Sequence, residues 1–323
     1  MWWRKKAGNH PGWVALAVTE RDIRCVHGHY EGASTPQVFR LATEPIEDPE
    51  DLAKAARNLD LAGHHCTTVL RPGDYQLLVL DAPNVPREEL RAAIRWRLKD
   101  MIDYHVDDAT VDVLDIPVDK AATGRARSMF ATAARNDIIQ ACVEKFHGAD
   151  VPLSVIEIPE TAQRNLAALY EDKGRGVAML YLGEESGLLT ITYSGELYLS
   201  RRLDIPLAAL TRDPAVDQGG ELRLGDALPQ RDECLQRVLL ELQRTLDHLE
   251  RQFPWVIVTK LLLAPEPTET GLAEFLRSNL DIAVIPVDLK DKISFADMNV
   301  EPGQQWQMFH LIGASLRYDA TVL

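Results

Sequence analysis

Residues 177–202 read V-A-M-L-Y-L-G-E-E-S-G-L-L-T-I-T-Y-S-G-E-L-Y-L-S-R-R, and no other stretch restricts the fold as tightly. An almost continuous apolar run, Val177–Leu182, has the length of a strand. Gly183-Glu184-Glu185-Ser186-Gly187 follows as a tight loop. Leu188–Tyr193 reads as a second strand, Ser194-Gly195 as a two-residue turn, and Leu197–Leu203 as the strand running back. A strand, a glycine-bearing loop and a hairpin can cradle a phosphate on backbone N–H groups. Two carboxylates, Glu184 and Glu185, stand in this loop.

The same plan occurs near the start of the chain. Trp13–Val18 is apolar, Thr19–Asp22 is a polar turn and Ile23–His27 is a second strand. Gln37–Ala42, Thr67–Leu70, Gln76–Ala82, Ala109–Val118, Ser128–Ala134 and Leu153–Ile158 read as further strands. Helices are expected at Glu50–Leu61, Arg87–Lys99, Asp137–His147 and Glu160–Tyr170. After a polar segment, Thr211–Arg231, an apolar stripe recurs at spacings of four and three: Leu235, Leu239, Leu242, Leu246, Leu249 and Phe253. Pro254 ends that helix, and Val256–Leu263 reads as a buried strand. Gly271–Asn279 (helix), Ala283–Val287 (edge strand) and Trp306–Leu316 (helix) complete the chain. Strands and helices alternate in two halves, each opened by a hairpin, which predicts α/β units with mixed sheets.

The 323 residues are 46% hydrophobic, enough for two domains with substantial cores. A net charge of −14 argues against nucleic acid as the main partner, because phosphate backbones need a basic face. No apolar run reaches the ~20 residues of a membrane span, and no secretory signal is expected. Cys25, Cys66, Cys142 and Cys234 lie far apart, which suits a reducing cytoplasm. The opening M-W-W-R-K-K leaves two readings: a frayed terminus, or a bilayer contact through Trp2, Trp3, Arg4, Lys5 and Lys6. No metal site is expected. His64-His65-Cys66 has no second ligand pair at zinc spacing, and Asp103, Asp107, Asp108, Asp112 and Asp115 lack the glycine and glutamate of a calcium loop. Asp247 and His248 have no nucleophile, and no G-x-S-x-G, Walker or H-E-x-x-H motif occurs.

Six segments in order carry a family resemblance. They are the start M-W-W-R-K-K with its strand, turn and strand; E-E-L-R-A-A-I-R-W-R-L-K-D-M-I at Glu88–Ile102; F-A-T-A-A-R-N-D-I-I at Phe130–Ile139; E-L-Q-R-T-L-D-H-L-E at Glu241–Glu250; G-L-A-E-F-L at Gly271–Leu276; and I-G-A-S-L-R at Ile312–Arg317. Across nearly its whole length the chain resembles the PilM-like type IV pilus assembly proteins of the actin-like ATPase superfamily. Within them it is most similar to the MshI-type branch of mannose-sensitive haemagglutinin (MSHA) pilus biogenesis. The resemblance implies a two-lobed actin-like (ribonuclease H-like) α/β fold. The first lobe would be residues 1–170 plus 306–323, with an inserted subdomain at about 76–135, and the second 171–305. It also implies a cytoplasmic place, peripheral at the inner membrane. There the chain would bind the N-terminal peptide of a PilN-like bitopic inner-membrane protein and help tie the pilus assembly platform together.

Active relatives hold nucleotide between the lobes. Three motifs of theirs are altered in this chain. Where they carry D-hydrophobic-G-S, this chain has Ala17, Val18, Thr19 and Glu20. The second D-hydrophobic-G is Tyr181, Leu182 and Gly183, followed by Glu184 and Glu185. The S-G-G-G of the adenosine motif is Ala264, Pro265, Glu266 and Pro267. A carboxylate about 4 Å from a phosphate oxygen costs roughly 1–4 kcal/mol per charge pair, and proline has no N–H to offer. The expectation is therefore a pseudo-ATPase with no cofactor, ATP and Mg²⁺ included. The alternatives are an ATP-binding ATPase of a pilus or type II secretion platform and, with less behind it, a sugar- or acetate-kinase-like phosphotransferase. For the partner peptide the candidate surface is Leu90, Arg91, Ile94, Arg95 and Trp96. The competing reading is that Leu90, Ile94 and Leu98 simply cover the sheet beneath them.

Overall fold

The computed structural model describes residues 11–32, 34–48, 51–61, 63–118, 127–211 and 231–318. The chain divides into two units. The first comprises the described parts of Met1–His29, Phe39–Pro159 and Ala314–Arg317; the second comprises those of Tyr30–Val38, Glu160–Gly313 and Tyr318–Leu323.

The first unit holds a mixed sheet of β1 (Trp13–Val18), β2 (Asp22–His29), β3 (Gln37–Pro45), β4 (His65–Val69) and β8 (Leu153–Glu157), in the order β3-β2-β1-β4-β8. β1 runs antiparallel to β2 and parallel to β4, and β4 is parallel to β8. One core packs Val14, Leu16, Ile23 and Cys66 of the sheet against Leu52, Ala55 and Ala56 of α1 (Asp51–Asn58) and Phe146 of α3 (Asn136–His147). A separate three-stranded sheet, β5 (Tyr75–Asp81), β7 (Ser128–Arg135) and β6 (Ala109–Asp115), runs antiparallel throughout in the order β5-β7-β6. The helix α2 (Arg87–Leu98) covers one face of it with Leu90, Ile94 and Leu98.

The second unit repeats the sheet plan. β9 (Gly176–Leu182), β10 (Gly187–Tyr193), β11 (Glu196–Leu203), β12 (Val258–Leu263) and β13 (Ala283–Pro286) take the order β11-β10-β9-β12-β13. The hairpin is antiparallel, while β9, β12 and β13 are parallel. β9 is buried at every position except Tyr181, as a central strand covered on both faces should be, and this explains its continuous apolar run. The turn between β10 and β11 places Ser194 and Gly195 at φ 54° and 76°, the positive pair of a type I′ hairpin. Glu171 Oε2 accepts the Gly195 N–H at 2.9 Å and fixes the turn. The helix α6 (Arg231–Gln252) buries Leu235, Leu239, Leu242 and Leu249, the stripe read from the sequence.

Two expectations shift. The limits at residues 170 and 306 differ from the structure, because α4 (Pro159–Ala168) and the chain up to Gly313 count with the second unit from Glu160 on. The reason is packing. Buried Gln163 donates its amide to Met179 O, Leu188 O and Thr190 Oγ1, and Phe309 stacks on Tyr181. The terminal helix is also two helices, α8 (Pro302–Gln307) and α9 (Phe309–Ser315). A capping box of Glu301 and Gln304 starts α8 four residues before the expected onset at Trp306, and Met308 leaves helical geometry between the two. The expected segment Thr211–Arg231 falls almost wholly outside the described residues, as do Trp2, Trp3, Arg4, Lys5 and Lys6.

Candidate functional site

The first of the three altered loops is the β1–β2 turn, which follows Ala17. The Thr19 N–H donates to Asp22 O at 2.9 Å. The Thr19 hydroxyl accepts N–H groups from Arg21 (3.1 Å) and Asp22 (2.9 Å). Three of the turn's backbone donors are therefore spent within the turn itself, and Glu20 points its charge into solvent.

The second loop joins β9 to β10. The Gly183 N–H closes on Ser186 O at 2.9 Å, and the Gly183 carbonyl accepts the Leu207 N–H at 2.8 Å. Tyr181 lies flat on Phe309, with centroids 5.1 Å apart and planes at 9°, and His310 meets its ring edge-on at 4.5 Å. The Trp306 indole donates to Leu182 O at 2.7 Å. Aromatic side chains thus enclose the end of β9, and Glu184 and Glu185 stand exposed beside it. Burial pushes the His310 imidazole down to about 3.

The third loop leaves β12. The Ala264 N–H is taken by Leu180 O, and Pro265 is buried. Burial, helped by the neighbouring Glu269 charge, pushes the Glu266 carboxyl up, against the hydrogen bonds from Thr270. This loop walls a cavity of ≈ 480 Å³ together with Glu274, Pro286, Asp288 and Pro302. Burial also works upward on Asp288, yet the Lys290 N–H, the Gln305 amide and the Lys290 ammonium hold it below the usual carboxylate range.

A triphosphate needs free N–H groups and a glycine at its closest approach. The first turn uses three of its donors internally, the second carries two carboxylates, and the third presents prolines. Among the described residues, no group of three or more His, Cys, Asp or Glu is placed to hold a metal ion.

The proposed peptide surface divides sharply. Ile94 is 0% exposed and belongs to the core beneath α2, so it cannot receive a partner; Leu90 packs partly against the same core. Arg95 donates to Ala109 O (2.9 Å) and Val106 O (2.8 Å), pinning the turn before β6. Arg91 is exposed and reaches Asp112 on β6 at 2.9 Å. Trp96 is 80% exposed. Of the five residues, Trp96 and Arg91 remain as an outward surface. The reading of Leu90, Ile94 and Leu98 as sheet cover is the one the packing supports.

No known protein-family profile matches the chain, and no curated protein matches it in sequence. Solved structures do. A chain of a PilM-PilN type IV pilus biogenesis complex is 19% identical with a TM-score of 0.69, over 95% of this chain and 99% of that one. The two share a fold. It is the actin-like α/β fold expected from the sequence, with the hairpin-led mixed sheet repeated in each unit. The cytoplasmic domain of EpsL, an inner-membrane component of the Vibrio cholerae type II secretion system, is 12% identical with a TM-score of 0.44, over 94% and 93% of the two chains.

Two contacts near the end of the chain were missed by sequence reading. Gly313 of α9 lies against α4, where an added Cβ would sit 2.1 Å from Ala162 O. Arg317 pairs with Glu157 at 2.8 Å and lies 4.6 Å over the Trp13 ring. Both belong to the I-G-A-S-L-R segment, whose motif was visible without its reason. The acidic cavity was missed too. Its only signal was the P-E-P-T-E-T run after β12.

Proposed function

We propose that this chain is a non-catalytic scaffold of type IV pilus assembly, of the MSHA type, which binds the N-terminal cytoplasmic peptide of a PilN-like bitopic inner-membrane protein. The observation that carries the reading is the shared fold with a chain of the PilM-PilN complex over nearly the full length of both chains. The spent donors of the Thr19 turn and the carboxylates of the Gly183 loop support the non-catalytic part. On this reading the chain works in the cytoplasm at the inner membrane. Among the described residues, no helix is long and apolar enough to cross one.

The partner surface we favour is the outer face of α2. A tryptophan 80% exposed offers a large apolar plane at little entropic cost. β6 is an outer strand of its sheet, so a peptide can pair along it as a further strand, meeting Arg91 where it reaches Asp112. The test is fluorescence anisotropy of a labelled N-terminal peptide of the candidate bitopic protein against the full chain. Micromolar binding that weakens about tenfold or more in Trp96→Ala, with thermal stability unchanged, supports the reading. Absence of binding to such peptides removes its main support. The second reading, an ATP-binding ATPase, draws on the cavity beside Pro265. Micromolar binding of Mg-ATP by calorimetry would favour it over the scaffold.

A further inference from the structure

The sheet β5-β7-β6 ends on β6, and what can pair with that edge depends on how its backbone groups are spent. In an antiparallel pair alternate residues turn both backbone groups toward the neighbouring strand, and the residues between turn both away. The Ile116 N–H reaches Ser128 O on β7 at 3.2 Å, whereas the Ala109 N–H turns away from β7 to Val106 O. These two bonds fix the alternation. Thr110, Asp112 and Leu114 bond to β7, and Ala109, Val111, Val113 and Asp115 present their N–H and C=O groups at the outer edge.

Part of that edge is already closed. The Ala109 carbonyl accepts Arg95 of α2 at 2.9 Å, and the Val113 N–H donates to Asp112 Oδ1 at 3.0 Å. The same oxygen accepts a guanidinium N–H of Arg91 at 2.9 Å, so α2 holds the carboxylate in place. The N–H and C=O of Val111 and the C=O of Val113 have no partner among the described residues. The closure at Val113 is of a removable kind. A lasting block of an edge uses a bulge or a proline. β6 keeps an unbroken register from Ala109↔Arg135 to Asp115↔Met129 and contains no proline. The Arg91 and Asp112 side chains are 69% and 70% exposed, and a surface ion pair with one hydrogen bond opens at small cost.

We propose that Asp112 is a removable guard of the β6 edge: clamped by Arg91, its carboxylate occupies the Val113 N–H, the donor an incoming strand needs to extend its pairing past Val111, and that strand must displace it. The proposal rests on the reading of β6 as the edge that receives the partner peptide, and adds the contact that regulates entry there. With the guard in place an antiparallel strand exchanges N–H···O bonds with Val111 alone. With Asp112 turned aside it gains the Val113 pair as well, and the Arg91 guanidinium is released to a carbonyl or carboxylate of the peptide.

Two measurements on the full chain test it. The first is amide hydrogen exchange resolved by NMR, each rate taken relative to that of the unstructured chain. In the parent the Val113 amide should be protected about threefold to tenfold more than the Val111 amide, and Asp112→Ala should bring the two within about twofold. The second is fluorescence anisotropy with the labelled N-terminal peptide of the candidate bitopic protein. Asp112→Ala should bind it about threefold to tenfold more tightly than the parent, the reverse of the change expected for Trp96→Ala. Asp115→Ala removes the same charge from the same strand without uncovering an edge N–H, and should stay within about twofold of the parent. Equal protection of the two amides in the parent overturns the guard, and so does an Asp112→Ala affinity no tighter than the parent's. An equal gain in Asp115→Ala overturns it too, since that would mark bulk charge alone. A peptide that binds neither the parent nor Asp112→Ala sinks the peptide reading, and the exchange contrast then decides the guard by itself.

Discussion

Replacing Gly313 by alanine reverses an ordinary expectation. Within a helix alanine is favoured over glycine by about 1 kcal/mol, because glycine loses more backbone entropy on folding. In α9 the added Cβ would lie 2.1 Å from Ala162 O, 2.7 Å from its carbonyl carbon and 3.2 Å from its Cα. All three atoms are backbone, so no rotamer change can relieve the clash. Moving from 2.1 Å to ordinary contact near 3.4 Å requires α4 and α9 to separate by about 1.3 Å. Ala162, Leu166 and Ile312 are all fully buried and leave no slack in these helices. The same shift stretches the 3.0 Å hydrogen bond from Asn165 Nδ2 to Gly313 O.

Overpacking of this kind costs about 1–3 kcal/mol, and a broken hydrogen bond about 1 more. Set against the propensity gain of about 1 kcal/mol, the net is a loss of about 1–3 kcal/mol. For a unit of this size that lowers the melting temperature by roughly 2–12 °C. Gly303→Ala is the control. Its Cβ would meet nothing closer than Pro267 Cβ at 3.6 Å, so it should raise stability by about 0.5 kcal/mol. Thermal melts followed by circular dichroism read both. A Gly313→Ala protein as stable as the parent would refute the close approach of α4 and α9, and a melt of Gly303→Ala well below the parent would refute the propensity argument.

Three further outcomes follow from single contacts. Arg317→Ala removes the guanidinium that pairs with little-exposed Glu157 and stacks on Trp13, and should cost about 3 kcal/mol in urea unfolding; Arg317→Lys, keeping charge without the planar fork, should cost about half. Ala296 holds φ at 49°, so Ala296→Gly should stabilise by about 0.5–1 kcal/mol, raising the melt by roughly 1–4 °C. His310 is held neutral by burial, its folded value about 3 lying below an unfolded value near 6.5. The unfolded state therefore binds the extra proton, and stability is lost as pH falls below about 6.5. Between pH 7 and pH 5 the loss is at most about 2 kcal/mol, reduced because the ring keeps some accessible surface. His310→Gln should flatten that part of the pH profile, and an unchanged slope would remove the assignment.

The sequence was most informative where local pattern and tertiary role coincide. The hairpin from Val177 to Leu203 appears within a residue of its expected bounds, because the apolar run, the alternation and Ser194-Gly195 each act locally. The stripe on α6 was legible for the same reason. The allegiance of α4 was not. Nothing in P-E-T-A-Q-R-N-L-A-A says which sheet Gln163 will meet, since its acceptors Met179, Leu188 and Thr190 lie 16 to 27 residues away. The split between α8 and α9 also escaped, because its onset is set by the reciprocal bonds of Glu301 and Gln304, outside the apolar pattern.

The same distinction governs the site. A motif comparison could say which residues had changed at the three loops, but not what the new residues do. Thr19 does more than leave out a glycine: its hydroxyl gathers the N–H groups of Arg21 and Asp22 and ties the turn to itself. Tyr181 does more than replace an aspartate: it stacks with Phe309 and His310 at the end of β9. Each of these side chains makes its contacts within its own unit. Ile94 shows the opposite error, an apolar residue assigned to a surface when its i,i+4 spacing with Leu90 and Leu98 already satisfied the core. Removing those inward residues leaves Trp96, 80% exposed, as the clearest outward-facing feature of α2.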